Sequence, residues 1–319
     1  MATYRVLVSD PISEKGVDAL RAAPEISVDV NTGLKPEELL KIIGDYHGLV
    51  VRSQTKVTPE VFAAAKNLKA IGRAGVGVDN IDRNAATDHG VVVMNTPSGN
   101  TISTAEHAFT LMLSLARNIP QAHASIISGK WDRKSFEGVE LFGKRLAILG
   151  MGRIGTEFAK RAQAFGMTVV AYDPFLTAAR AQSLKVELAG SAAIALTGAD
   201  VVTLHIPLTP ETQHILDAER IGLMNQGALI INCARGGLVD EDALIEVLRS
   251  GKLAAAGLDV ISHEREPDRL SRPLLRYAAT HPNLIITPHV GGFTLEAQAK
   301  VQTHLVKLVK QAWLDRQIS

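Results

Sequence analysis

The chain has 319 residues, which is too long for one compact core and suits two domains of ordinary size. Because 34 Lys and Arg balance 33 Asp and Glu, no overall charge favours binding to nucleic acid or to an anionic membrane. No apolar run is long enough to span a bilayer, no signal peptide precedes the first predicted strand, and the single cysteine, Cys233, excludes an internal disulfide. We therefore expect a cytoplasmic protein that binds neither nucleic acid nor membrane.

Strands and helices alternate through the first hundred residues. The predicted strands cover residues 4–9, 27–31, 48–51, 68–71 and 90–95, and the predicted helices cover 13–21, 35–43 and 59–66. This order and spacing predict a parallel sheet with helices on both faces.

The loop after the fourth strand contains Gly75 and Gly77 but has Asn80 where a dinucleotide motif would have its third glycine. We therefore assign no second nucleotide site there. Two interpretations remain open: the loop offers main-chain N–H groups to a small anion, or it is a plain turn before a helix capped near Asp82.

A strongly apolar helix is predicted from the capping-box pattern Ser103-Thr104-Ala105-Glu106 to about Asn118. A long helix between two α/β units is a natural crossover, so the domain boundary is placed near residue 100. Residues 121–143 are predicted to form an arm, with Trp131 either exposed or packed on a partner.

The stretch LAILGMGRIG predicts a buried strand, a glycine turn and the start of a helix. Gly150 suits a tight turn, Gly152 lets the backbone approach a pyrophosphate, and Gly155 lets the helix pack closely on the strand. The helix start at Arg153 and Ile154 presents free N–H groups to the anion.

Asp173 ends the next predicted strand, where a carboxylate can accept hydrogen bonds from both ribose hydroxyls of a dinucleotide. A 2′-phosphate would meet a like charge there, because the nearest candidate partner, Arg180, is too far along the chain. The cofactor is therefore predicted to be NAD rather than NADP.

The rest of the second half continues the alternation. Further strands are predicted at 200–205, 228–233, 255–260 and 284–287, with helices at 218–224 and 240–249 and a last helix from Thr294 to about Leu314.

Three residues near the ends of these strands suit chemistry on a hydroxy acid: Arg235, Glu264 and His289. In open parallel sheets, ligands bind beyond the carboxyl ends of the strands. Arginine can hold a planar carboxylate through two parallel bonds, histidine can exchange a proton with a hydroxyl, and a carboxylate beside the histidine fixes its tautomer. His205, at another strand end, competes with His289 as a cofactor contact or a catalytic residue.

From Gly72 to Gly292 the chain resembles the D-isomer-specific 2-hydroxyacid dehydrogenases. The matching segments are residues 72–80 (GRAGVGVDN), 94–100 (MNTPSGN) and 129–134 (GKWDRK), the glycine fingerprint, and the segments around Arg235 and His289. The resemblance implies an α/β protein with two doubly wound parallel-sheet domains. A Rossmann NAD-binding domain at about 100–288 would be inserted in a flavodoxin-like substrate-binding domain formed by about 1–99 and 289–319.

The resemblance also implies roles for individual residues. Arg235 would hold the substrate carboxylate, His289 would be the general acid or base, and Glu264 would pair with it. The nicotinamide side would be lined by Ile206, Cys233, Ala234 and Asp259, and we include their neighbours His205, Pro207, Gly291 and Gly292 in the cofactor site. Substrate would be held by Arg52, Ser53, Gly75, Val76 and Asn100, while Arg133 would reach a phosphate across a homodimer formed by the helix and arm at 101–143.

The chain departs from the family pattern in three places. The catalytic Glu of the family directly precedes proline, whereas this chain has His263-Glu264-Arg265-Glu266-Pro267. Spacing from Asp259 selects Glu264 and adjacency to Pro267 selects Glu266, and we adopt the spacing. Val76 and Ile206 occupy positions where many relatives have threonine. The chain also ends without the regulatory domain of longer members, so serine feedback through such a domain is not expected.

The implied reaction is NAD-dependent oxidation of D-3-phosphoglycerate to 3-phosphohydroxypyruvate, the first step of serine synthesis, by hydride transfer at C2. Arg52 and Arg133 favour this phosphorylated substrate. The alternative is a glyoxylate or hydroxypyruvate reductase on the same scaffold. A more distant alternative is a non-enzymatic NAD-sensing binding protein. No metal is expected.

Overall fold

The computed structural model describes residues 4–12, 14–301 and 303–304. The chain divides into two compact units, one drawn from residues 1–100 and 293–319 and the other from residues 101–292. The second boundary lies four residues later than the predicted one, so His289 and the three residues after it belong to the second unit. The physical reason is that Asp259 of that unit accepts hydrogen bonds from the N–H groups of Val290 and Gly291.

The first unit contains a five-stranded parallel sheet. Its strands are β1 (Tyr4–Val8), β2 (Ile26–Val30), β3 (Gly48–Val51), β4 (Ala70–Arg73) and β5 (Val92–Asn95), in the order β2-β1-β3-β4-β5. The helices are α1 (Glu14–Arg21), α2 (Pro36–Ile42), α3 (Pro59–Ala64) and α4 (Arg83–Asp88). This is the strand order of flavodoxin-like sheets, which confirms the predicted fold of this unit.

Both faces of this sheet are buried. Leu7 packs with Leu49 and Ile71 in one apolar cluster, whereas its neighbours Val6 and Val8 pack in another cluster on the opposite face. Side chains alternate across a strand, so a strand buried on both faces reads as a continuous apolar run.

The second unit contains a seven-stranded parallel sheet. Its strands are β6 (Arg145–Leu149), β7 (Thr168–Tyr172), β8 (Glu187–Leu188), β9 (Val201–Leu204), β10 (Ala228–Asn232), β11 (Leu253–Leu258) and β12 (Leu284–Ile286). The helices are α5 (Thr101–Ala116), α6 (Ile119–Ile127), α7 (Arg153–Ala164), α8 (Ala178–Leu184), α9 (Ala192–Leu196), α10 (Ala218–Gly222), α11 (Glu241–Arg249) and α12 (Pro273–Thr280).

The strand order of the second sheet is β12-β11-β10-β9-β6-β7-β8, which is the Rossmann order extended by one strand. The direction of winding reverses between β6 and β9, and in such sheets the ligand crevice lies at this reversal, beyond the carboxyl ends of the strands. The predicted Rossmann fold is therefore confirmed, and the glycine fingerprint follows the strand at the reversal point.

The predicted capping box was wrong. α5 begins at Thr101, so Ser103 and Glu106 lie inside the helix, where Glu106 instead forms an ion pair with Arg161 at 3.1 Å. The interpretation of residues 121–143 as an arm also missed a helix, because α6 covers Ile119–Ile127 with Pro120 in its first turn, a favoured position for proline.

Several shorter elements were not predicted: α8, β8, α9 and α12. Of the predicted last helix from Thr294 to about Leu314, residues 295–301 are helical and Val301 is buried. Its proposed apolar positions Leu305, Leu308, Val309, Ala312 and Trp313 lie outside the described residues. Within the described part of the chain, no helix combines the length and hydropathy needed to cross a bilayer.

Candidate active site

The glycine fingerprint forms a turn that tolerates no side chain at two of its positions. Gly150 has φ of 99°, and a Cβ there would lie 2.6 Å from the carbonyl oxygen of His205. A Cβ on Gly155 would lie 2.0 Å from the carbonyl oxygen of Gly150. The absence of side chains therefore lets β6, β9 and the first turn of α7 come together.

Gly152 differs from these two glycines because the space around it is open. Apart from its two chain neighbours, no atom of the described residues lies within 4 Å of the position that its Cβ would take. It is the N-cap of α7, a 12-residue helix whose first turn contains Arg153 and Ile154, and no side chain caps that end. Free N–H groups and the helix dipole at an uncapped, open N-terminus fit the pyrophosphate of a dinucleotide.

Asp173 follows β7 and is held beside this turn. Its Oδ2 accepts the N–H of Met151 at 2.8 Å, and its Oδ1 accepts the N–H of Phe175 at 2.8 Å. The carboxylate is half-buried, so its remaining lone pairs can accept bonds from ribose hydroxyls.

Arg235 is fixed by the loop after β10. The side chain of Asn232 donates to the carbonyl of Arg235 at 2.8 Å and accepts the N–H of Ala234 at 2.9 Å, which folds the loop back on the strand end. The guanidinium of Arg235 donates from Nη1 to the carbonyl of Ala234 at 2.7 Å. Arg235 is half-buried, and the planar guanidinium of an arginine can hold a carboxylate through two parallel bonds.

β10, β11 and β12 are neighbours in the sheet, so the loops that carry Arg235, Glu264 and His289 leave the same edge side by side. The first two loops are in contact, because a Cβ on Gly236 would lie 2.0 Å from the carbonyl carbon of Ile261. The third loop is joined to the second by a hydrogen bond of 2.8 Å between Nδ1 of His289 and Oε1 of Glu264.

This hydrogen bond sets the tautomer of His289. A carboxylate can only accept, so Nδ1 carries the hydrogen and Nε2 is left to exchange a proton with a ligand. The side chain of His289 is 46% exposed, so the ring is accessible. Glu266, the other candidate partner, instead pairs with His263 at 2.7 Å and with Arg272.

Asp259 lies directly behind the loop of His289 and is 1% exposed. Its carboxylate accepts the N–H groups of Val290 at 2.9 Å and Gly291 at 2.7 Å, and the hydroxyl of Thr287 at 2.5 Å. Nε2 of His107, from α5, is 3.3 Å away. Burial raises the pKa of Asp259, but the hydrogen bonds from His107, Thr287 and the two N–H groups outweigh it and hold the pKa below its usual range.

His205 is not equivalent to His289. Its ring packs on Phe158, with 5.4 Å between ring centroids, and its Nε2 is 3.0 Å from the hydroxyl of Thr203. Burial lowers the pKa of His205 to about 3, so the ring stays neutral near pH 7 and is unsuited to carrying a proton back and forth. Ile206 is half-buried beside Gly150, and Pro207 is exposed.

The thiol of Cys233 is buried in the apolar core of the second unit, and burial, followed by the charge of Asp259, raises its pKa. Only the main chain of Cys233 is therefore suited to a ligand contact. The described residues contain no cluster of His, Cys, Asp or Glu that could hold a metal ion.

In the first unit, the loop of Arg52 and Ser53 is fixed by Asp10, which is 1% exposed. The Asp10 carboxylate accepts the N–H of Arg52 at 2.6 Å and the N–H and hydroxyl of Thr55 at 3.0 and 2.6 Å. Burial lowers the pKa of Arg52, an effect that the Asp10 charge opposes, and its guanidinium lies 5.5 Å from the ring centroid of Phe293. Ser53 is exposed.

The remaining predicted substrate residues of this unit have distinct surroundings. A Cβ on Gly75 would lie 1.6 Å from Nη1 of Arg73, so this arginine covers the glycine. The carbonyl of Val76 accepts from Asn95 at 2.5 Å. Oδ1 of Asn100 is buried and has no hydrogen-bond partner among the described residues, which is unusual for a buried acceptor.

Residues 109–291 match the family model described as D-isomer specific 2-hydroxyacid dehydrogenase, NAD binding domain. The chain belongs to the D-isomer-specific 2-hydroxyacid dehydrogenase family. The D-3-phosphoglycerate dehydrogenase of Archaeoglobus fulgidus is 50% identical over 297 residues, which are 93% of this chain and 55% of that protein. The hydroxypyruvate reductase of Thermotoga maritima is 45% identical over 309 residues, which are 97% of this chain and 98% of that protein.

A solved structure of a D-lactate dehydrogenase has the same fold. The D-lactate dehydrogenase of Aquifex aeolicus, crystallised with NAD and lactic acid, is 28% identical, with a TM-score of 0.86 over 97% of this chain and 95% of that chain. The chain spans little more than half the length of the phosphoglycerate dehydrogenases that it matches first.

Arg133 and the arm around it are exposed. α6 has no buried residue, and Ile127 and Trp131 are 72% and 83% exposed.

Three polar residues that hold the candidate site residues in place were not predicted from the sequence: Asp10, His107 and Asn232. Asp10 and Asn232 were identifiable as short polar residues at strand ends. His107 carried no such signal, since it looks like one polar position on an apolar helix.

Proposed function

We propose that this chain is an NAD-dependent dehydrogenase that oxidises D-3-phosphoglycerate to 3-phosphohydroxypyruvate. The observation that carries the proposal is the His289–Glu264 pair, which lies on loops next to that of Arg235 at adjacent strand ends of a Rossmann unit. Few structural roles call for an accessible imidazole whose tautomer is fixed by a carboxylate from another strand end.

The proposed roles follow from the chemistry of each side chain. Arg235 holds the substrate carboxylate through two parallel charge-assisted bonds and so orients C2. Nε2 of His289 takes the hydroxyl proton during oxidation and returns it during reduction. Glu264 stabilises the imidazolium that forms. Bound NAD supplies the hydride acceptor, and Gly152, the first turn of α7 and Asp173 are the residues that would hold it.

The phosphorylated substrate is supported by the names of the phosphoglycerate dehydrogenases and by two accessible arginines, Arg52 and Arg133. A second candidate, hydroxypyruvate or glyoxylate reduction, is favoured by the Thermotoga maritima relative, of which this chain covers 98%.

One absorbance experiment separates the two candidates. Purified enzyme is assayed at 340 nm with NAD and D-3-phosphoglycerate or D-glycerate, and with NADH and hydroxypyruvate or glyoxylate. We expect the phosphorylated acid to have the highest kcat/KM, and Arg52→Ala and Arg133→Ala to raise its KM roughly 10-fold by removing a charge-assisted bond. Equal turnover of the unphosphorylated acids, unaffected by either substitution, would support the reductase.

The assignment of Arg235 is tested separately. Arg235→Ala should lower kcat/KM by roughly 30- to 5,000-fold, since removing one partner of a desolvated charge pair costs about 2–5 kcal/mol. Arg265→Ala is the matched control, because Arg265 is an exposed arginine of the neighbouring loop. Near-normal kcat/KM in Arg235→Ala would contradict the role.

We further propose that the protein is a cytoplasmic homodimer assembled through α5, α6 and the arm to residue 143. The support is the row of exposed apolar side chains there, which includes Ile127, Trp131 and Phe142. Analytical ultracentrifugation should give a dimer for the intact chain and a monomer for Trp131→Glu. A monomeric wild type would contradict the proposal.

A further inference from the structure

The backbone of His289 has a conformation that it would not adopt on its own. Its φ is 56°, in the left-handed region that residues with a Cβ rarely occupy. Its N–H donates to the carbonyl of Thr287, only two residues back, at 2.9 Å. The surrounding groups must therefore hold this tight turn for the imidazole to keep its place beside Glu264.

Asp259 supplies much of that support. The two N–H groups that follow His289, those of Val290 and Gly291, both point into its carboxylate, one to each oxygen. A Cβ on Gly291 would lie 2.9 Å from Oδ2 of Asp259, so the glycine allows this close approach. The hydroxyl of Thr287 donates to Oδ1 and fixes the other end of the turn.

His107 closes the arrangement from α5. Its Nε2 is 3.0 Å from Oγ1 of Thr287 and 3.3 Å from Oδ1 of Asp259. The threonine hydroxyl has one hydrogen, which goes to the carboxylate, so it must accept the hydrogen on Nε2 of His107. The hydrogen on Nε2 of His107 therefore faces both the hydroxyl of Thr287 and Oδ1 of Asp259, and the hydroxyl donates in turn to the carboxylate. Removing one of these partners leaves a buried group unsatisfied.

We infer that His107, Thr287 and Asp259 form a positioning triad that holds His289 in its proton-transfer conformation. The hydrogen bonds described between the triad and this turn reach the backbone N–H groups of His289, Val290 and Gly291, not the imidazole, so these are positioning residues rather than catalytic ones. The inference rests on the proposed function in one respect, namely that His289 carries the proton.

Thr287 offers the sharpest kinetic test. Thr287→Val keeps the shape of the side chain but removes the hydroxyl, whereas Thr287→Ser keeps the hydroxyl. We expect kcat with the preferred acid to fall about 10-fold or more in Thr287→Val, with KM for the nicotinamide cofactor within about twofold of wild type, and to recover in Thr287→Ser. His107→Phe should behave like Thr287→Val, and His107→Gln, which retains a side-chain N–H donor, should recover in part.

A second readout does not depend on turnover. The ring signal of His289 in a ¹H–¹³C NMR spectrum, assigned by its loss in His289→Ala, should change in Thr287→Val and return in Thr287→Ser. An unchanged signal in folded Thr287→Val would overturn the inference even if the wild type turned over no acid. If the wild type is active and kcat is unchanged in both Thr287→Val and His107→Phe, the positioning triad is overturned. The proposed function would then still stand. If Thr287→Val does not fold, the two His107 variants decide by the same measurements.

Discussion

The second unit contains two histidine–glutamate pairs whose local geometry is nearly the same. Nδ1 of His289 is 2.8 Å from Oε1 of Glu264, and Nδ1 of His263 is 2.7 Å from Oε1 of Glu266. The backbone of both histidines lies in the left-handed region, with φ of 56° for His289 and 57° for His263. Both side chains are partly exposed. The Nδ1–Oε1 distance and the exposure of the side chains therefore do not distinguish the pair that transfers a proton from the other pair.

The pairs differ in what lies around them. His263 and Glu266 belong to one exposed loop, three residues apart, and Glu266 also binds Arg272, which already neutralises its charge. His289 and Glu264 come from two neighbouring strand ends, and the loop of His289 is held from behind by Asp259. A histidine becomes a candidate catalyst when separate elements of the fold converge to fix it, and a pair within one loop lacks that support.

The largest expected difference lies between the two histidines. His289→Asn should lower kcat by about 10²- to 10⁴-fold, which is the usual contribution of a general acid or base. His263→Asn should leave kcat within a factor of two, because that histidine lies in a surface loop. Steady-state rates of both variants decide the point, and a comparable fall in the two would remove the distinction between the pairs.

The two glutamates give a smaller but equally direct contrast. Glu264→Gln should reduce kcat/KM by roughly 10- to 150-fold, since a charge-assisted hydrogen bond of about 1.5–3 kcal/mol is lost. Glu266→Gln should cost little activity. The same assay applies to both. Should Glu266→Gln be the damaging change, adjacency to Pro267 would have been the better guide than spacing from Asp259.

Asp10 extends the comparison to the first unit, where it supports the Arg52 loop as Asp259 supports the His289 loop. Asp10→Asn should lower the free energy of unfolding by about 1–3 kcal/mol, because an amide nitrogen would face a buried N–H donor. It should raise KM for the acid more than it lowers kcat. Urea unfolding and initial rates provide the two numbers, and Asp88→Asn, at an exposed position of the same unit, is a surface control. No change in either number would mean that the loop needs no such anchor.

The smallest expected effect concerns His205, a partly buried histidine to be compared with the exposed His289. Because its folded-state pKa of about 3 lies below the ordinary value of 6.5, the unfolded chain takes up a proton on this ring as pH falls below 6.5 while the folded chain does not. Its NMR signal should thus not titrate between pH 5 and 8. Folding stability should decrease between pH 7 and pH 5 less steeply in His205→Gln than in wild type. A midpoint near pH 6 for His205 would contradict this.

Much of the fold could be predicted from the sequence, because continuous apolar strands and glycine turns are local signals. The strand boundaries of β3 and the helix start near Asp82 are of this kind, with Asp82 accepting the N–H of Ala85 at 2.9 Å. The capping box at Ser103 failed because a spacing of residue types says nothing about where the helix actually begins. α6 was missed because Pro120 looked like a stop, although proline is equally suited to a first turn.

The residues proposed to contact the ligands could be predicted from the sequence, but the hydrogen bonds that hold them in place could not. Arg235, Glu264 and His289 stand at strand ends, and topology brings neighbouring strand ends together. The hydrogen bonds that fix them are different in kind: Asp10 reaches residues 42 to 45 positions away, and His107 reaches Thr287 across 180 positions. Such partners are set by tertiary packing, which leaves no periodic signal in the sequence.

The bond between His107 and Thr287 has a consequence for biosynthesis. α5 leaves the ribosome early, whereas β12 and the turn after it emerge nearly two hundred residues later. The glycine turn and the helix α7 that follows it can therefore form in a growing chain before the His107–Thr287 bond can support the turn of His289. The glycine turn of a nascent polypeptide is thus synthesised well before residue 289, the proposed proton carrier, is added to the chain.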